Sequence, residues 1–383
     1  MFDRRSFVAL GASAVLTSAF GPRIALARAA TERRFVFIIQ RGAADGLGTL
    51  APVGDPAFVG QRGVLAEDFV TAPRLDSTFA LHPAMTNLHG LWAAKQALFV
   101  HAVASPYRER SHFDGQNVLE TGGSSASALK DGWLNRLLSL LPADDRAIAL
   151  AATIPMALRG SVEVASYAPS ALPDASDDLL SRVSAMYRED PQLHAIWEQA
   201  IATRMLTSDL AQDNGRNAAA TGALAAKLLT AEGGARIAMI ETGGWDTHAQ
   251  QRGRLAGQLK GLDAMIGSIR QGLGPLWADT MVVVATEFGR TVKVNGTQGT
   301  DHGTGSLAML IGGAVNGGRV VADWPGLGDA ALYEGRDLRP TAGLDRLLNS
   351  AVAAHFDLTP ARTAQKLFPD MKSAAMMKDL MRA

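Results

Sequence analysis

Six short runs rich in valine, isoleucine and other apolar residues recur along this chain, each bounded by glycine, proline or charge. They are Arg34 to Gln40, Ala97 to Val103, Ala147 to Ala152, Ala235 to Glu241, Thr280 to Thr286 and Ser306 to Gly312. Runs of this kind read as strands buried on both faces of a parallel sheet. Between them, Pro83 to Lys95, Asp131 to Leu141, Ser176 to Leu206, Gly215 to Ala231, His248 to Gly272 and Ala342 to His355 carry apolar residues at three- and four-residue spacing, the period of an amphipathic helix. The alternation predicts an α/β fold with a doubly wound, mostly parallel sheet flanked by helices. Leu179 to Leu229 is almost wholly helical in pattern, which predicts a helical insertion around 176–231 packed on one side. No linker and no repeat of solenoid period divides the chain, so one domain is expected from residue 31 to residue 383.

The first 27 residues have a different character. Asp3-Arg4-Arg5-Ser6-Phe7-Val8 sets an arginine pair directly before an uncharged apolar stretch that runs to Phe20, and Ala25-Leu26-Ala27 offers the small residues of a signal-peptidase site. The stretch is too short to span a bilayer core of about 30 Å. Residues 1–27 are therefore expected to be a twin-arginine signal peptide, with the Tat translocase as a partner during export, a periplasmic or secreted product and no transmembrane anchor after cleavage. Removing Asp3, Arg4, Arg5 and Arg23 with that segment leaves 34 basic against 36 acidic residues, a balance that argues against a nucleic-acid partner. With no cysteine, the chain has no disulfide, iron–sulfur cluster or thiolate-bound metal.

In open parallel sheets, function gathers beyond the carboxyl ends of the strands, so the residues just after each run carry the most information. The first run ends in Arg41-Gly42-Ala43-Ala44-Asp45-Gly46, presenting a carboxylate, or simply making an Asp-Gly turn. The fourth leads into Gly244-Trp245-Asp246-Thr247-His248, and the fifth into Glu287-Phe288-Gly289-Arg290, with Asp301-His302 in the loop that follows. Carboxylates and imidazoles are the ligands of hard to borderline metals. A metal site built from Asp45, Asp246, His248, Glu287, Asp301 and His302 is expected. After the second run stands Arg108-Glu109-Arg110-Ser111-His112-Phe113-Asp114. Ser111 is a candidate nucleophile at a helix N-terminus, or equally a capping residue paired with Asp114. His112 is a candidate ligand or orienting residue, and Arg108, Arg110 and Arg290 are candidates for holding an anion, Arg290 alternatively for a structural ion pair. His101 lies inside an apolar run and reads as a satisfied core histidine before it reads as a partner of the site.

Taken in order, Arg41 to Gly46, Arg110 to Phe113, Gly244 to His248, Thr286 to Arg290 and Gly299 to Gly303 resemble the landmarks of the bacterial DUF1501 family across nearly the whole chain. That family is similar to the alkaline phosphatase and sulfatase superfamily. The resemblance implies an alkaline phosphatase-like fold and a metal-dependent hydrolase. Asp45 would match the first metal-binding aspartate, Ser111 the nucleophile, and Asp246, His248, Glu287, Asp301 and His302 the remaining ligands. His112 and Arg290 would complete the catalytic set. It also implies one or more divalent ions, with Zn, Mn, Fe and Ca all open, and an anionic small-molecule or polymer ester as substrate. The spacing between Asp246 and His248 is tighter than in better-known members, and the sulfatase signature is absent, Ser105-Pro106-Tyr107-Arg108 having the wrong spacing, which argues against a formylglycine sulfatase. The alternative is a non-catalytic periplasmic binding or structural protein that retains the fold.

Overall fold

In a computed structural model, the structure describes residues 33–382 except 143–145, 169–176, 189, 191–192, 195–196, 198–216 and 372–375. The expected signal peptide, 1–27, lies outside the described residues. So does much of the expected insertion, of which helices Asp177–Tyr187 and Ala218–Thr230 are described.

The strands in chain order are β1 (Arg34–Gln40), β2 (Leu50–Ala51), β3 (Ala80–Leu81), β4 (Ala97–Ala104), β5 (Ala147–Leu150), β6 (Ala165–Ser166), β7 (Ile237–Thr242), β8 (Thr280–Ala285), β9 (Ser306–Ile311), β10 (Arg319–Val321) and β11 (Ala342–Gly343). Nine of them form the central sheet in the order β10-β4-β9-β8-β1-β7-β5-β6, with β11 beside β4. All six apolar runs are strands of it. β1 lies parallel between β7 and β8, and β5 continues the parallel side. β9 is reversed, pairing antiparallel with both β8 and β4. The reason is the connection: no helix separates β8 from β9, and a parallel return would need a crossover. Residues 286–305 instead loop across the carboxyl end of β8 and come straight back.

The sheet separates two apolar cores, as the alternation of side chains along β1 requires. Val36 and Ile38 face a core closed by helices Thr86–Ala93, Ala218–Thr230 and Gln251–Leu273. Phe35, Phe37 and Ile39 face a second, closed by helices Trp133–Leu138 and Leu344–His355 and by Pro360–Leu367. Trp133 is wholly buried there, edge-on to Phe35 and Phe37 and tilted against Phe368. With helices on both faces, the expected doubly wound, mostly parallel α/β class is the observed one. No helix of the described residues is long and apolar enough to cross a membrane.

Candidate metal centre

Four connections meet at the carboxyl end of the central strands: residues 41–46 after β1, 243–250 after β7, 286–305 between β8 and β9, and 105–111 leading from β4 into helix His112–Thr121. Arg290 fastens three of them together. Its guanidinium is buried, with Nε donating to Ala43 O at 2.7 Å, Nη1 to Thr300 O at 3.0 Å, and Nη2 to Gly42 O at 2.9 Å and Trp245 O at 3.1 Å, beside an ion pair with Asp246. Gly42 makes the close approach possible: at φ +115° it lies where a Cβ would stand 2.6 Å from Asp246 N.

Around the Asp246 carboxylate stand three imidazoles. His248 Nε2 is 3.0 Å from Asp246 Oδ1, His302 Nε2 is 3.2 Å and His112 Nε2 is 3.5 Å. His248 Nε2 and His302 Nε2 are 3.0 Å apart. The opposite ring nitrogens settle the tautomers. His302 Nδ1 faces Arg110 O at 3.0 Å, His112 Nδ1 faces Glu287 Oε1 at 2.8 Å, and His248 Nδ1 faces Asp301 Oδ1 at 3.2 Å. Each of those oxygens only accepts, so each Nδ1 carries a proton and donates it. In the neutral rings, all three Nε2 atoms then carry a lone pair, and all three lie within 3.5 Å of Asp246 Oδ1. Lone pairs on nitrogens 3.0 Å apart repel unless a cation or a proton lies between them, and His112 Nε2 is buried with no hydrogen-bond partner.

The donor set fits a metal ion. Two ligands of a tetrahedral ion, each about 2.0–2.1 Å from it, stand roughly 3.3 Å apart, close to the separations here. The ligand atoms of His112, Asp246 and His302 lie within 4.8 Å of one another. A histidine that donates its far N–H to a carboxylate or carbonyl is the usual form of a metal-bound imidazole. The side chains of Asp246 and His248 are 45% and 43% exposed, so the cluster opens to solvent on that side.

The electrostatics suit a cation. Burial alone raises the Asp246 carboxyl, but the Arg290 hydrogen bond and charge outweigh it and hold the group below the ordinary carboxylate range. Burial, then the neighbouring His112, presses His302 below its ordinary value, which keeps that ring neutral. His112 moves the other way, raised by its hydrogen bond to Glu287. The raised ring takes up a proton at Nε2 more readily, so proton and metal compete for this position.

The structure brings together Asp246, His248, His302 and His112, and it disposes the other expected residues differently. Glu287, expected as a ligand, stands wholly buried behind His112, its oxygens accepting from Gly42 N, Gln116 Nε2 and Thr286 Oγ1 as well as His112 Nδ1. Asp301 is one layer out, orienting His248 and held by Asn295 Nδ2 at 3.0 Å. Asp45 is buried in an ion pair with Arg62 and is not in the cluster. Ser111 is the N-cap of helix His112–Thr121, yet its hydroxyl makes no capping bond. Arg290 spends its donors on the protein, as does Arg110, on Asp337 and Glu334, while Arg108 gives Nη1 to Ser105 O and Tyr107 O. His101 is a core histidine: Nε2 meets Leu50 O at 2.9 Å and Nδ1 accepts from Ala102 N at 2.8 Å. The sequence reading missed Arg62, Gln251 and the Arg110 carbonyl, for which no spacing gives a signal. It also missed Arg336, whose half-exposed guanidinium bonds His302 O at the rim.

Solved structures similar to this chain include the phosphonate monoester hydrolase of Agrobacterium radiobacter, at 11% identity over 76% of this chain and 70% of that one, with a TM-score of 0.38. A protein in the alkaline phosphatase superfamily from Vibrio parahaemolyticus also has 11% identity and a TM-score of 0.38, over 84% of this chain and 66% of that one. The C-terminal periplasmic domain of EcEptC from Escherichia coli, in complex with Zn, has 10% identity and a TM-score of 0.38, over 91% and 92% of the two chains. No curated protein matches the sequence. A family profile described as "Protein of unknown function (DUF1501)" matches residues 32–360.

Proposed function

This chain belongs to the DUF1501 family, and we propose that it is an exported, metal-dependent hydrolase of phosphate or related anionic esters. The observation that carries the reading is the meeting of three Nε2 atoms within 3.5 Å of Asp246 Oδ1, each imidazole held from behind by its own acceptor, at a solvent-open sheet edge. Asp246, His112, His248 and His302 would hold the ion. Three imidazoles favour Zn, Mn or Fe over Ca, which takes oxygen ligands. When bound, such an ion supplies a Lewis acid that stabilises negative charge on an ester oxygen.

The protein's own groups do the rest. Glu287, Asp301 and the Arg110 carbonyl keep the Nδ1 protons in place and the rings aimed. Ser111, free of a capping bond at the N-terminus of a ten-residue helix, offers a hydroxyl nucleophile where unpaired backbone N–H groups favour an oxyanion. Arg336, half-exposed at the rim and bonded to the His302 carbonyl and Asp337, would meet an anionic substrate there. Residues 31–383 act as one hydrolase domain in the periplasm or outside the cell, delivered by the Tat translocase and released by cleavage after Ala27.

Purified protein is to be analysed for bound metal and offered phosphate monoesters, diesters and sulfate esters with Zn, Mn or Fe supplied. Turnover that is lost in a folded His302→Ala variant supports the proposal. A protein that holds no metal and turns over none of these esters sinks it, and leaves a non-catalytic member of the fold.

A further inference from the structure

The six residues the sequence offered as ligands are enough for two ions, and the structure bears on how many the centre takes. We propose that it holds one, and that the Arg62 guanidinium is a built-in cation that closes Asp45 to any other. The inference rests on the metal reading above and concerns the number of ions.

Asp45 follows β1 at the same sheet edge as the cluster, and its side chain is 1% exposed. A buried carboxylate needs a cation or several hydrogen bonds. Both are supplied by protein. Arg62, fully buried at the end of helix Phe58–Arg62, pairs with Asp45 Oδ2 through Nη2 and is anchored by Nη1 to Val292 O at 3.1 Å and Thr291 O at 3.3 Å. Gln251, also fully buried, donates its amide to the same carboxylate oxygen. An ion at Asp45 would have to displace a guanidinium that is itself fully buried.

Of the remaining carboxylates, Glu287 is closed by the protein and Asp301 lies exposed, one layer out. Glu287 uses both oxygens on protein donors, and Asp301 gives Oδ1 to Asn295 and His248. Among the described residues, the ligand atoms of His112, Asp246 and His302 lie near enough to share an ion, and His248 Nε2 stands 3.0 Å from both Asp246 and His302. The Asp45 pair is nevertheless coupled to it. Gln251 Oε1 accepts from Thr247 Oγ1 at 2.9 Å and from Thr300 Oγ1 at 2.6 Å. Thr247 stands between Asp246 and His248, and Thr300 directly precedes Asp301 and His302. Arg62, Asp45 and Gln251 thus form a buried strut that sets the spacing of the two ligand loops; Arg62 and Asp45 are positioning residues, and neither holds the ion.

The test is metal stoichiometry on the full chain, by elemental analysis after gel filtration and by calorimetric titration with Zn²⁺ or Mn²⁺. One ion per chain is expected. The double variant Asp45→Asn/Arg62→Met removes both charges together, leaving no unpaired buried ion. It is expected to keep one ion, with affinity weakened by no more than roughly 10-fold, the lower end for a partner behind the ligands. Asp246→Asn is expected to lose the ion. Two ions per chain in the unaltered protein overturn the inference while leaving the metal-dependent reading intact, and so does complete loss of the ion from a double variant that circular dichroism shows to be folded. A protein that binds no ion overturns both. The stoichiometry of the unaltered chain decides the matter even where the double variant fails to fold.

Discussion

Glu287 gives the sharpest test of how the centre is built, because glutamine and alanine remove different things from it. The carboxylate is wholly buried; Oε1 accepts from Gly42 N at 2.8 Å, His112 Nδ1 at 2.8 Å and Gln116 Nε2 at 3.3 Å, and Oε2 from Thr286 Oγ1 at 2.9 Å. Glutamine keeps an oxygen at the first position. Its amide then donates to the Thr286 hydroxyl, whose proton goes wholly to Gln40 O, already 2.8 Å away. The Gly42, His112 and Gln116 donors stay paired, and what is lost is the charge on the acceptor. Hydrogen bonds to charged groups contribute about 1.5–3 kcal/mol against about 0.5–1.5 for neutral ones, so the substitution costs about 1–2 kcal/mol. Metal affinity is expected to fall roughly 10- to 100-fold, the range for an outer partner of a ligand histidine. Alanine strands the Gly42, Gln116 and His112 donors, and at about 1–3 kcal/mol each the loss is on the order of 3–9 kcal/mol of stability. Calorimetric metal titration and urea melts of both variants read these values. Unchanged affinity in Glu287→Gln refutes the role, since His112 would not need its acceptor. Total loss in a folded Glu287→Gln protein refutes it from the other side, since Glu287 would itself be holding the ion.

Three more outcomes follow from the same coordinates. Burial holds the His101 and His355 imidazoles down at about 4, against an ordinary value near 6.5. The unfolded chain therefore binds protons at these two sites below about pH 6.5 that the folded protein refuses until about pH 4, so stability is full above that window and falls through it, by about 3 kcal/mol for each group. Urea midpoints measured from pH 7.5 to 4 should show the decline, and a flat profile contradicts it. Gly299→Ala puts a Cβ 2.2 Å from the His248 carbonyl, forcing the Gly299–Gly303 loop off the His248 turn. Metal binding should drop while the cores stay folded, as calorimetry and circular dichroism will show, and unaltered binding means that the loop spacing does not set the site. Trp133→Ala empties the position between Phe35, Phe37 and Phe368 and should cost about 3–5 kcal/mol, visible as a lowered urea midpoint.

The strands were legible because burial on both faces forces continuous apolar runs, and all six runs are strands. The location of the centre was legible for the same reason: polar residues directly after such runs have nowhere to go but the sheet edge. The two- and three-residue strands β2, β3, β6, β10 and β11 were not, since segments so short carry no period. The reversal of β9 was hidden as well, because an apolar run reads alike in either direction and only the lack of an intervening helix betrays it.

Within the centre, the division falls between residue type and residue role. Asp246, His248 and His302 were named from their types and come together as ligands in waiting. Asp45 and Glu287 are of equally suitable type, and the structure turns both away. What distinguishes them is the partner: Arg62 and Gln251 on Asp45, and His112, Gly42 and Thr286 on Glu287. Apart from Thr286, those partners are brought in by other loops and helices of the chain. The sequence by itself determined the α/β class, the edge at which chemistry gathers and the kinds of donor available there. Only the tertiary structure decided which donors meet around Asp246 and which are closed by protein partners, because a carboxylate's role is set by the cation or proton nearest to it, and that neighbour is chosen by packing.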